Sequence, residues 1–394
     1  MFLYQFMRFK EQSKPKFLEG ISRCEMAVVT VSPQAVCSIA ASRRLNIKQT
    51  AHLVSRCLKR LGVKYVLDSS FARLFTLQLS YDEFLRRRAE DKPILTSACP
   101  GFVCYAEKTH GKLLVPHISR IRSPQAIAGV LVKDYLAKVL SVKSDAIFHA
   151  TIMPCFDKKL EASRPEFANE SSREVDCVLS AAEMDELLSE EETENDEGKN
   201  DEKGDFDGED EKLNWLSSFE RGDLIGSADD GDASGGYANY IVKRFLTDHS
   251  KPDHSLDIRS TQKMKNLDVI EVRSGDEVQL TVAKCYGFRN IQNLVQKMKR
   301  DKVEYDYIEV MACPSGCANG GGQIRALNSD QRQELLETVF QNYDSIPMHQ
   351  VSLDAEFERV KRHWAVLNTE FVHLCETNYH VVDKNIIDKV NLGW

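Results

Sequence analysis

Three short cysteine-containing motifs, far apart in the chain, constrain the fold more than any other feature. Each motif follows a short run of residues that predicts a β-strand, at residues 93–95, 147–153 and 307–311. The motifs themselves are TSACP at residues 96–100, MPCFDKKLE at 153–161 and MACPSGCANGGGQ at 311–323. In open α/β sheets, binding sites gather at the carboxyl ends of strands. The sequence therefore predicts a fold in which separate strand ends converge on one point.

The chemistry of these motifs suggests a metal cofactor. They supply four thiols, and four thiolates are the ligand set of a [4Fe–4S] cluster. The candidate ligands are Cys99, Cys155, Cys313 and Cys317. A proline follows Cys99 and another follows Cys313, which predicts a helix start at each place, and a helix N-terminus favours a thiolate. Cys313 and Cys317 are four residues apart and are expected to face one side of a helical turn.

Two alternatives stay open at this point. Four unrelated core cysteines would also satisfy the pattern, because free cysteine is a common buried residue. Structural zinc is the other alternative, although zinc ligands usually come as closely spaced cysteine pairs and only one close pair occurs here. Lys158 and Lys159 follow Cys155 directly and could offset the negative charge of a four-thiolate cluster.

Predicted strands and helices alternate along the chain. Further strands are predicted at residues 26–31, 64–67 and 177–179, and a hairpin at 269–272 and 278–283. Helices are predicted after Ser32-Pro33 and at residues 51–61, 71–90, 124–140, 237–246 and 289–299. Such alternation is typical of an α/β protein with largely parallel sheets.

Net charge is concentrated in one stretch. Of the net charge of −8, residues 183–212 carry −13, so the rest of the chain carries +5. Residues 183–233 are rich in Glu, Asp, Gly, Asn and Ser and cannot bury enough apolar surface to offset the entropy of ordering. This stretch is therefore predicted to be a disordered acidic insert, within which Trp215, Leu216 and Phe219 are expected to dock locally.

Several functional classes are disfavoured by composition. No apolar run approaches the length of about 18–20 residues that a membrane span needs. The apolar start, residues 1–7, is too short for a secretory signal, so a cytosolic protein with reduced thiols is expected. No concentrated basic face suggests nucleic-acid binding, since Arg86, Arg87 and Arg88 are expected on a solvated helix surface.

The motifs resemble the cluster-binding pattern of iron-only hydrogenases, T-S-C-C-P, M-P-C-x-x-K-K-x-E and M-A-C-P-x-G-C-x-x-G-G-G-Q. Together with YAEKTHG at residues 105–111, KKLEASRP at 158–165 and YGFRNIQNL at 286–294, they resemble more closely the hydrogenase-like proteins of cytosolic iron–sulfur assembly, the Narf family. The resemblance runs from about residue 26 to the C-terminus and is broken by the acidic insert.

The resemblance implies a two-lobed α/β fold with one [4Fe–4S] cluster in the cleft between the lobes, bound by Cys99, Cys155, Cys313 and Cys317. The expected division is an extension at residues 1–25, a first lobe at 26–182, the insert at 183–233, a second lobe at 234–330 and a helical tail at 331–394. The implied function is that of a non-catalytic adaptor for maturation of cytosolic and nuclear iron–sulfur proteins. Its implied partner is the assembly targeting complex, which contains a β-propeller protein, and its implied location is cytoplasmic with the nucleus as a second compartment.

The chain departs from the hydrogenase pattern at two proton carriers. Ala98 stands where the pattern has a second cysteine, and Asn239 stands where the T-G-G-x-x-E motif has its carboxylate. Neither alanine nor asparagine can relay a proton, which argues against a redox enzyme of the hydrogenase type, the alternative function. Lys158 and Glu161 are kept, and they suit cluster electrostatics and packing equally well. A third alternative is a protein with a structural metal and an unrelated interaction role.

A second departure is the lack of the cluster motif that the family normally has near its N-terminus. The sequence has no C-x-x-C, and Cys24, Cys37 and Cys57 are expected to be buried packing residues. Cys104 is also expected to pack, and ligand roles for the histidines near the motifs are disfavoured because four cysteines suffice. Those histidines are His110, His117 and His149. The last residues, Leu392-Gly393-Trp394, partly match the terminal tripeptide by which adaptors engage the targeting complex.

Overall fold

The computed structural model describes residues 2–90, 92–168, 172–195, 214–224, 234–250, 256–346 and 351–382. Nine strands lie in these ranges: β1 (Met26–Val31), β2 (Val63–Asp68), β3 (Ile94–Thr96), β4 (Ile147–Met153), β5 (Cys177–Ser180), β6 (Asp257–Met264), β7 (Leu267–Ser274), β8 (Glu277–Tyr286) and β9 (Tyr307–Met311).

The same ranges contain fifteen α-helices. They are α1 (Phe2–Arg23), α2 (Pro33–Arg43), α3 (Ile47–Arg60), α4 (Ser69–Arg87), α5 (Pro100–Leu114), α6 (Pro124–Val130), α7 (Ala137–Val139), α8 (Asp157–Ala162), α9 (Ala181–Asn195), α10 (Asn214–Ser217), α11 (Tyr237–His249), α12 (Phe288–Lys299), α13 (Ser329–Asp344), α14 (Val351–Leu367) and α15 (Phe371–Leu374). A π-helix, Leu131–Leu136, joins α6 to α7. None of the helices in the described ranges is both long enough and apolar enough to span a bilayer.

The chain forms two compact units built from interleaved segments. The first contains residues 1–72, 125–228 and 320–371, and the second contains 73–124, 229–319 and 372–394. This division differs from the consecutive lobes expected at 26–182 and 234–330, because residues 73–124 join the second unit. Periodicity in a sequence identifies the elements, whereas the sheet that each element joins is decided by long-range packing.

The first unit is built around a fully parallel four-stranded sheet in the order β2-β1-β4-β5. Every residue of β1 and β4 is buried, as expected for central strands covered on both faces. The chain turns from β1 into α2 at Ser32, whose side chain accepts a hydrogen bond from the Ala35 N–H, with Pro33 at the first helical position. This confirms the helix start predicted at Ser32-Pro33.

The second unit contains a mixed five-stranded sheet in the order β3-β9-β8-β7-β6. The pairs β3–β9 and β9–β8 are parallel, and β8–β7 and β7–β6 are antiparallel. The prediction of largely parallel sheets therefore holds for the first unit and only in part for the second. Its antiparallel part is a three-stranded meander whose two turns contain Asn266 and Gly275, both with positive φ.

The first part of the stretch predicted as an acidic insert is helical. The prediction of disorder from residue 183 is wrong for 183–195, because α9 continues to Asn195 and buries Met184, Leu187 and Leu188. The average composition of the stretch concealed this apolar face. The docking predicted for the aromatic residues is confirmed, since Trp215 is buried in α10 and stacks on Phe71 at 4.7 Å between ring centroids. Residues 196–213 and 225–233 lie outside the described ranges.

Candidate metal centre

Cys99 lies between β3 and α5 in the second unit. It is the N-cap of α5, Pro100 occupies the first helical position, and the thiol is buried. The Cys99 N–H donates to Ser97 Oγ at 3.0 Å, and Ser97 Oγ donates to the Val310 carbonyl of β9 at 2.6 Å. The Ala312 N–H points at Cys99 Sγ from 3.5 Å. These bonds bring Cys99 beside the segment that leads to Cys313.

Cys313 and Cys317 follow β9 in a tight turn, not in the helix predicted from Pro314. Ser315 and Gly316 both have positive φ, of 60° and 81°, which is incompatible with a right-handed helix. The Gly316 N–H returns to the Cys313 carbonyl at 3.2 Å, and Cys317 begins a short 3₁₀ turn that ends at Asn319. The turn, rather than a helix face, sets how the two thiols are spaced.

Ser234 connects Cys317 to the segment before α11. Its Oγ donates a hydrogen bond to Cys317 Sγ at 3.3 Å, and the residue is buried. A Cβ atom at Gly316 would lie 2.8 Å from Ser234 Cβ, so only glycine lets the serine approach this closely. The turn in the third motif and the Ser-Gly-Gly segment at residues 234–236 therefore pack closely together.

A buried carboxylate in β9 supports the segment that carries Ser234. Glu309, in the middle of β9, is completely buried; its Oε1 accepts the Tyr286 hydroxyl at 3.0 Å and its Oε2 accepts the Ala238 N–H at 2.9 Å. Ala238 is in the first turn of α11, where free N–H groups favour an anion. Glu309 thus fixes the start of α11, which begins three residues after Ser234. Sequence reasoning missed this role, although a glutamate inside an apolar strand was a usable signal.

Cys155 lies in the first unit, after β4. The Gly322 N–H donates to the Pro154 carbonyl at 2.8 Å, and a Cβ atom at Gly322 would lie 3.1 Å from the Cys155 nitrogen. The glycine run of the third motif therefore packs on the backbone of the second motif. Burial raises the pKa of Asp157, and its hydrogen bond with Cys155 offsets part of that effect.

The two lysines after Cys155 are buried in ion pairs. Lys158 Nζ contacts Glu161 at 2.9 Å and Lys159 Nζ contacts Glu183 at 2.7 Å. Gln125 adds an amide hydrogen bond to Glu161 at 2.9 Å. Each ammonium group is neutralised locally, which favours the packing role for Lys158 and Glu161 and weakens the expectation that the lysines offset cluster charge.

The remaining candidates have ordinary structural roles. His149 is fully buried, bonded to Thr30 Oγ1 at 2.9 Å and to the Glu174 carbonyl at 2.8 Å, and burial lowers its pKa to about 4. His117 Nδ1 contacts the Pro93 carbonyl at 3.0 Å, and His110 meets the Tyr105 ring edge-on. Neither contact points to a ligand role.

The packing role predicted for three other cysteines is confirmed for two of them. Cys37 and Cys57 are buried, and burial raises the pKa of both thiols, that of Cys57 to about 12. Cys24 is only partly buried, and Cys104 likewise. The raised thiol pKa keeps Cys37 and Cys57 protonated, which is the state of an inert packing cysteine.

The donor set fits a thiolate-bound cofactor in its chemistry, since all four candidates are cysteines. Cys99, Cys313 and Cys317 are in the second unit and Cys155 is in the first. Within the described ranges no three His, Cys, Asp or Glu side chains stand close enough together to hold a metal ion. The fit lies in the sulfur environments. Sγ of Cys99 and of Cys317 already face a backbone N–H and a hydroxyl, the groups that commonly surround cluster sulfurs.

Comparison with known proteins gives a consistent family. Residues 25–321 match the family model described as iron only hydrogenase large subunit, C-terminal domain. The chain is 50% identical over 388 residues to the "Probable cytosolic Fe-S cluster assembly factor" of Brugia malayi, covering 98% of this chain and 82% of that protein. It is 41% identical over 382 residues to the cytosolic iron-sulfur assembly component 3 of Rattus norvegicus, covering 94% and 77%.

The solved structure of apo [FeFe]-hydrogenase HydA1 from Chlamydomonas reinhardtii shares the fold. The TM-score is 0.68 at 22% identity, and the match covers 93% of this chain and 99% of that one. An identity this low supports a common fold and no more.

Proposed function

Because this chain belongs to the family of the iron-only hydrogenase large subunit, C-terminal domain, we propose that it carries one [4Fe–4S] cluster as a non-catalytic adaptor. The protein acts in cytosolic iron–sulfur cluster assembly, as its relatives at 41% and 50% identity are named to do. The adaptor role, the cluster type and the partners are the proposed refinements of that coarser role.

The observation that carries the proposal is the retention of the four motif thiols beside two lost proton carriers. Ala98 immediately precedes Cys99, and Asn239 lies in the first turn of α11, whose start Glu309 fixes. The sulfur atoms of Cys99 and Cys317 each face a hydrogen-bond donor, whereas Ala98 and Asn239 stand where the hydrogenase pattern has proton carriers. A site that keeps its ligands and loses its acid–base groups suits holding a cluster rather than turning over a substrate.

The residues proposed to hold the cluster are Cys99, Cys155, Cys313 and Cys317. When bound, the cluster would supply a one-electron redox centre with four thiolate ligands. The Ser234 hydroxyl would donate a hydrogen bond to the Cys317 sulfur, and the Ala312 N–H would face the Cys99 sulfur, as both do in the structure. Glycine at positions 316 and 322 would keep backbone close to the ligands.

The proposed partner is the targeting complex of the cytosolic assembly pathway, with the cytoplasm as the main location and the nucleus as a second one. Trp394, which lies outside the described residues, is proposed to help docking, since its indole ring offers a large apolar face to a partner. Removal of Trp394 should weaken capture of the purified targeting complex and leave iron content unchanged. Unchanged capture would exclude the tail as the contact.

Anaerobic reconstitution of the full chain tests the cluster. We expect about four iron and four sulfide per chain, and an EPR signal of a reduced [4Fe–4S] centre after dithionite treatment. Stoichiometric zinc with no bound iron would support the structural-metal alternative and overturn the proposal.

The ligand assignment is tested with matched cysteine variants. Cys317→Ala should lose most of the iron, whereas Cys57→Ala should keep it, because Cys57 is a buried packing thiol with a raised pKa. Thermal unfolding of both variants, measured before the cluster is reconstituted, controls for misfolding. Equal loss of iron from two equally folded variants would show that the ligand assignment is wrong.

A further inference from the structure

Residues 376–382 form a strap that runs back along α5 in the second unit. The strap starts beside the segment that follows α5, where the Thr377 N–H donates to the Arg120 carbonyl at 2.8 Å. Arg122 Nε donates to the Glu376 carbonyl at 2.9 Å. These bonds fix the start of the strap beyond the C-terminal end of α5.

The other end of the strap is bound by Glu107, which belongs to the YAEKTHG motif in the middle of α5. Glu107 is buried, its Oε1 accepts the His380 N–H at 3.0 Å, and its backbone carbonyl accepts the Val382 N–H at 3.2 Å. A hydrogen bond to an ionised carboxylate is stronger than one between neutral groups. A single residue of α5 thus holds two N–H groups of the strap.

Gly111, the last residue of the same motif, makes room for the strap. A Cβ atom at this position would lie 2.8 Å from Val381 Cγ1 and 3.1 Å from Val381 Cα, so any side chain here would press on the backbone of the strap. Glycine inside a helix is less favourable than alanine. The glycine is therefore explained by the close approach of the strap and not by the needs of the helix.

The strap braces α5 at a bend in the helix. His110 has φ −137° and ψ 31°, which lie outside the helical region, so α5 is kinked between Glu107 and Gly111. The strap contacts both of these residues and therefore spans the kink. At its N-terminal end α5 begins after Cys99, whose side chain makes no capping hydrogen bond. The start of the helix thus lacks a side-chain cap, and the strap supplies a contact that supports this half of α5 from outside.

We propose that the strap positions Cys99, and that Glu107 and Gly111 are the positioning residues that receive the strap. By holding α5 on both sides of its kink, the strap keeps the start of the helix, and with it the Cys99 thiol, in the place that a cluster ligand needs. This inference deepens the proposed cluster function and rests on it for the role of Cys99 as a ligand. The YAEKTHG motif then serves the cluster site without supplying a ligand of its own.

Alkylation of the Cys99 thiol in the cluster-free full chain tests the proposal without a bound metal. Iodoacetamide reacts with a buried thiol only when the surrounding structure opens, and peptide mass spectrometry gives the rate at each cysteine. Glu107→Ala removes the carboxylate that accepts the His380 N–H and should increase the rate at Cys99 about tenfold. Cys285 is buried in β8 of the same unit and is the internal control, whose rate should stay unchanged.

Three further variants separate the strap from the helix itself. Glu107→Gln keeps a side-chain oxygen that can accept the His380 N–H, so it should restore slow alkylation of Cys99. Gly111→Ala raises the helix propensity of α5 but presses on Val381, so alkylation should become faster although the helix is intrinsically favoured. Lys112→Ala changes an exposed neighbour on the same helix and should have no effect. Unfolding curves of each variant exclude misfolding as the cause.

Hydrogen exchange at residues 377–382 reports on the strap directly, and these amides should exchange faster in Glu107→Ala. Unchanged exchange, or faster exchange with unchanged alkylation of Cys99, would overturn the proposal, as would equal acceleration at Cys285. After reconstitution, Glu107→Ala should also lose iron to a chelator faster than Lys112→Ala, and equal rates would count against the proposal. If the native chain binds no iron, the proposed cluster function fails, whereas the alkylation rates still decide whether the strap positions Cys99.

Discussion

Ser234 contributes directly to the environment of the Cys317 sulfur. Its hydroxyl donates to Cys317 Sγ, and it packs against Gly316 so closely that a Cβ atom there would lie 2.8 Å away. Hydrogen bonds to sulfur ligands stabilise the more negative, reduced state of an iron–sulfur cluster. On the proposed function, Ser234→Ala should therefore lower the reduction potential of the cluster and leave the iron content unchanged, as measured by an EPR-monitored redox titration.

Two variants control this prediction. Ser234→Thr keeps the hydroxyl and should restore the potential, and threonine is the residue that the hydrogenase pattern has at this position. Ser315→Ala removes a hydroxyl from the same turn, but that hydroxyl bonds Asn266 Oδ1 at 3.1 Å rather than a motif sulfur. If Ser315→Ala shifts the potential as much as Ser234→Ala does, the effect comes from general loosening of the turn.

His149 gives the stability of the protein a predictable dependence on pH. Burial lowers its pKa to about 4 from 6.5, so folding favours the neutral ring. The unfolded chain takes up the proton near pH 6.5, whereas the folded chain does so only near pH 4. This contribution is therefore complete above about pH 6.5 and is lost as the pH falls towards 4, with a size of about 3 kcal/mol at most.

Urea unfolding at a series of pH values measures the effect of His149. The free energy of unfolding of the native chain should fall between pH 6.5 and 4, the window set by the two pKa values. His149→Gln should be less stable near neutral pH because both ring hydrogen bonds are lost, and its decline in this window should be shallower. Parallel pH profiles for the two proteins would show that other groups control the acid sensitivity.

The positions of the four candidate cysteines after strand ends were predicted from the sequence, but the contacts that support those segments were not. The turn at Ser315 and Gly316 was predicted to be helical because Pro314 is a good first helical residue, yet positive φ at both positions prevents a helix. Proline preference is a local property, whereas this turn is set by contacts with Ser234 and Asn266, which are distant in sequence. For the same reason the role of Glu309 could not be derived from its neighbours alone.

At the scale of elements, α9 shows how a structural segment can be concealed in an acidic stretch. Arg43 at the end of α2 contacts Asp185 at 2.5 Å and Glu192 at 2.8 Å, and Lys14 of α1 contacts Glu190. These ion pairs and the buried side chains of Leu187 and Leu188 attach the helix to the first unit. Residues 183–195 therefore belong to the folded part of the first unit, contrary to the boundary predicted at 183.

Two deletions of different extent test this boundary. Removal of residues 198–210 should leave iron content and the melting temperature unchanged, because it spares α9 and takes away mainly like charges. Removal of residues 190–210 should lower the melting temperature by several degrees. It also removes Glu190, the partner of Lys14, and Glu192, a partner of Arg43.

Arg43→Ala in the intact chain is the internal check, and it should cost about 1 kcal/mol of unfolding free energy. Equal melting temperatures for the two deletions would mean that the end of α9 contributes nothing to folding.

Other elements were predicted more accurately because their signals are local. Largely apolar runs identified β1, β4 and β9, and the hairpin between β7 and β8 follows from alternating residues around a Gly-containing turn. Edge strand β6 was not predicted, since it buries nothing and its sequence, DIRSTQKM, shows no apolar alternation. Its existence depends on pairing with β7, which only the folded chain provides.

At the scale of the whole molecule, the chain keeps a hydrogenase fold without the residues that move protons in the hydrogenase pattern. The matching fold covers 93% of the chain, and the family model covers residues 25–321. Fold alone does not imply activity, because function resides in particular side chains carried on the fold. Assembly into two interleaved units could not be derived from the sequence, since residues 73–124 carry no local signal of the sheet that they join.

Hydrogen production is the activity of the hydrogenases that share this fold, but the residues at positions 98 and 239 argue against it here. We expect no H₂ from the reconstituted protein with reduced viologen, above the level of the Cys317→Ala variant as background. Ala98 and Asn239 cannot carry a proton, and both stand where the hydrogenase pattern has a proton carrier.

Restoring the two carriers makes the test sharper. Ala98→Cys with Asn239→Glu recreates the proton-carrying residues of the hydrogenase pattern, yet this variant should also make no H₂ if the protein holds only a four-thiolate cluster. Activity in the restored variant alone would mean that the lost carriers were the only barrier and that the site otherwise retains a competent centre. Activity in the native protein would contradict the non-catalytic proposal outright, while its place in cytosolic iron–sulfur assembly, which rests on relatives of 41% and 50% identity, would stand.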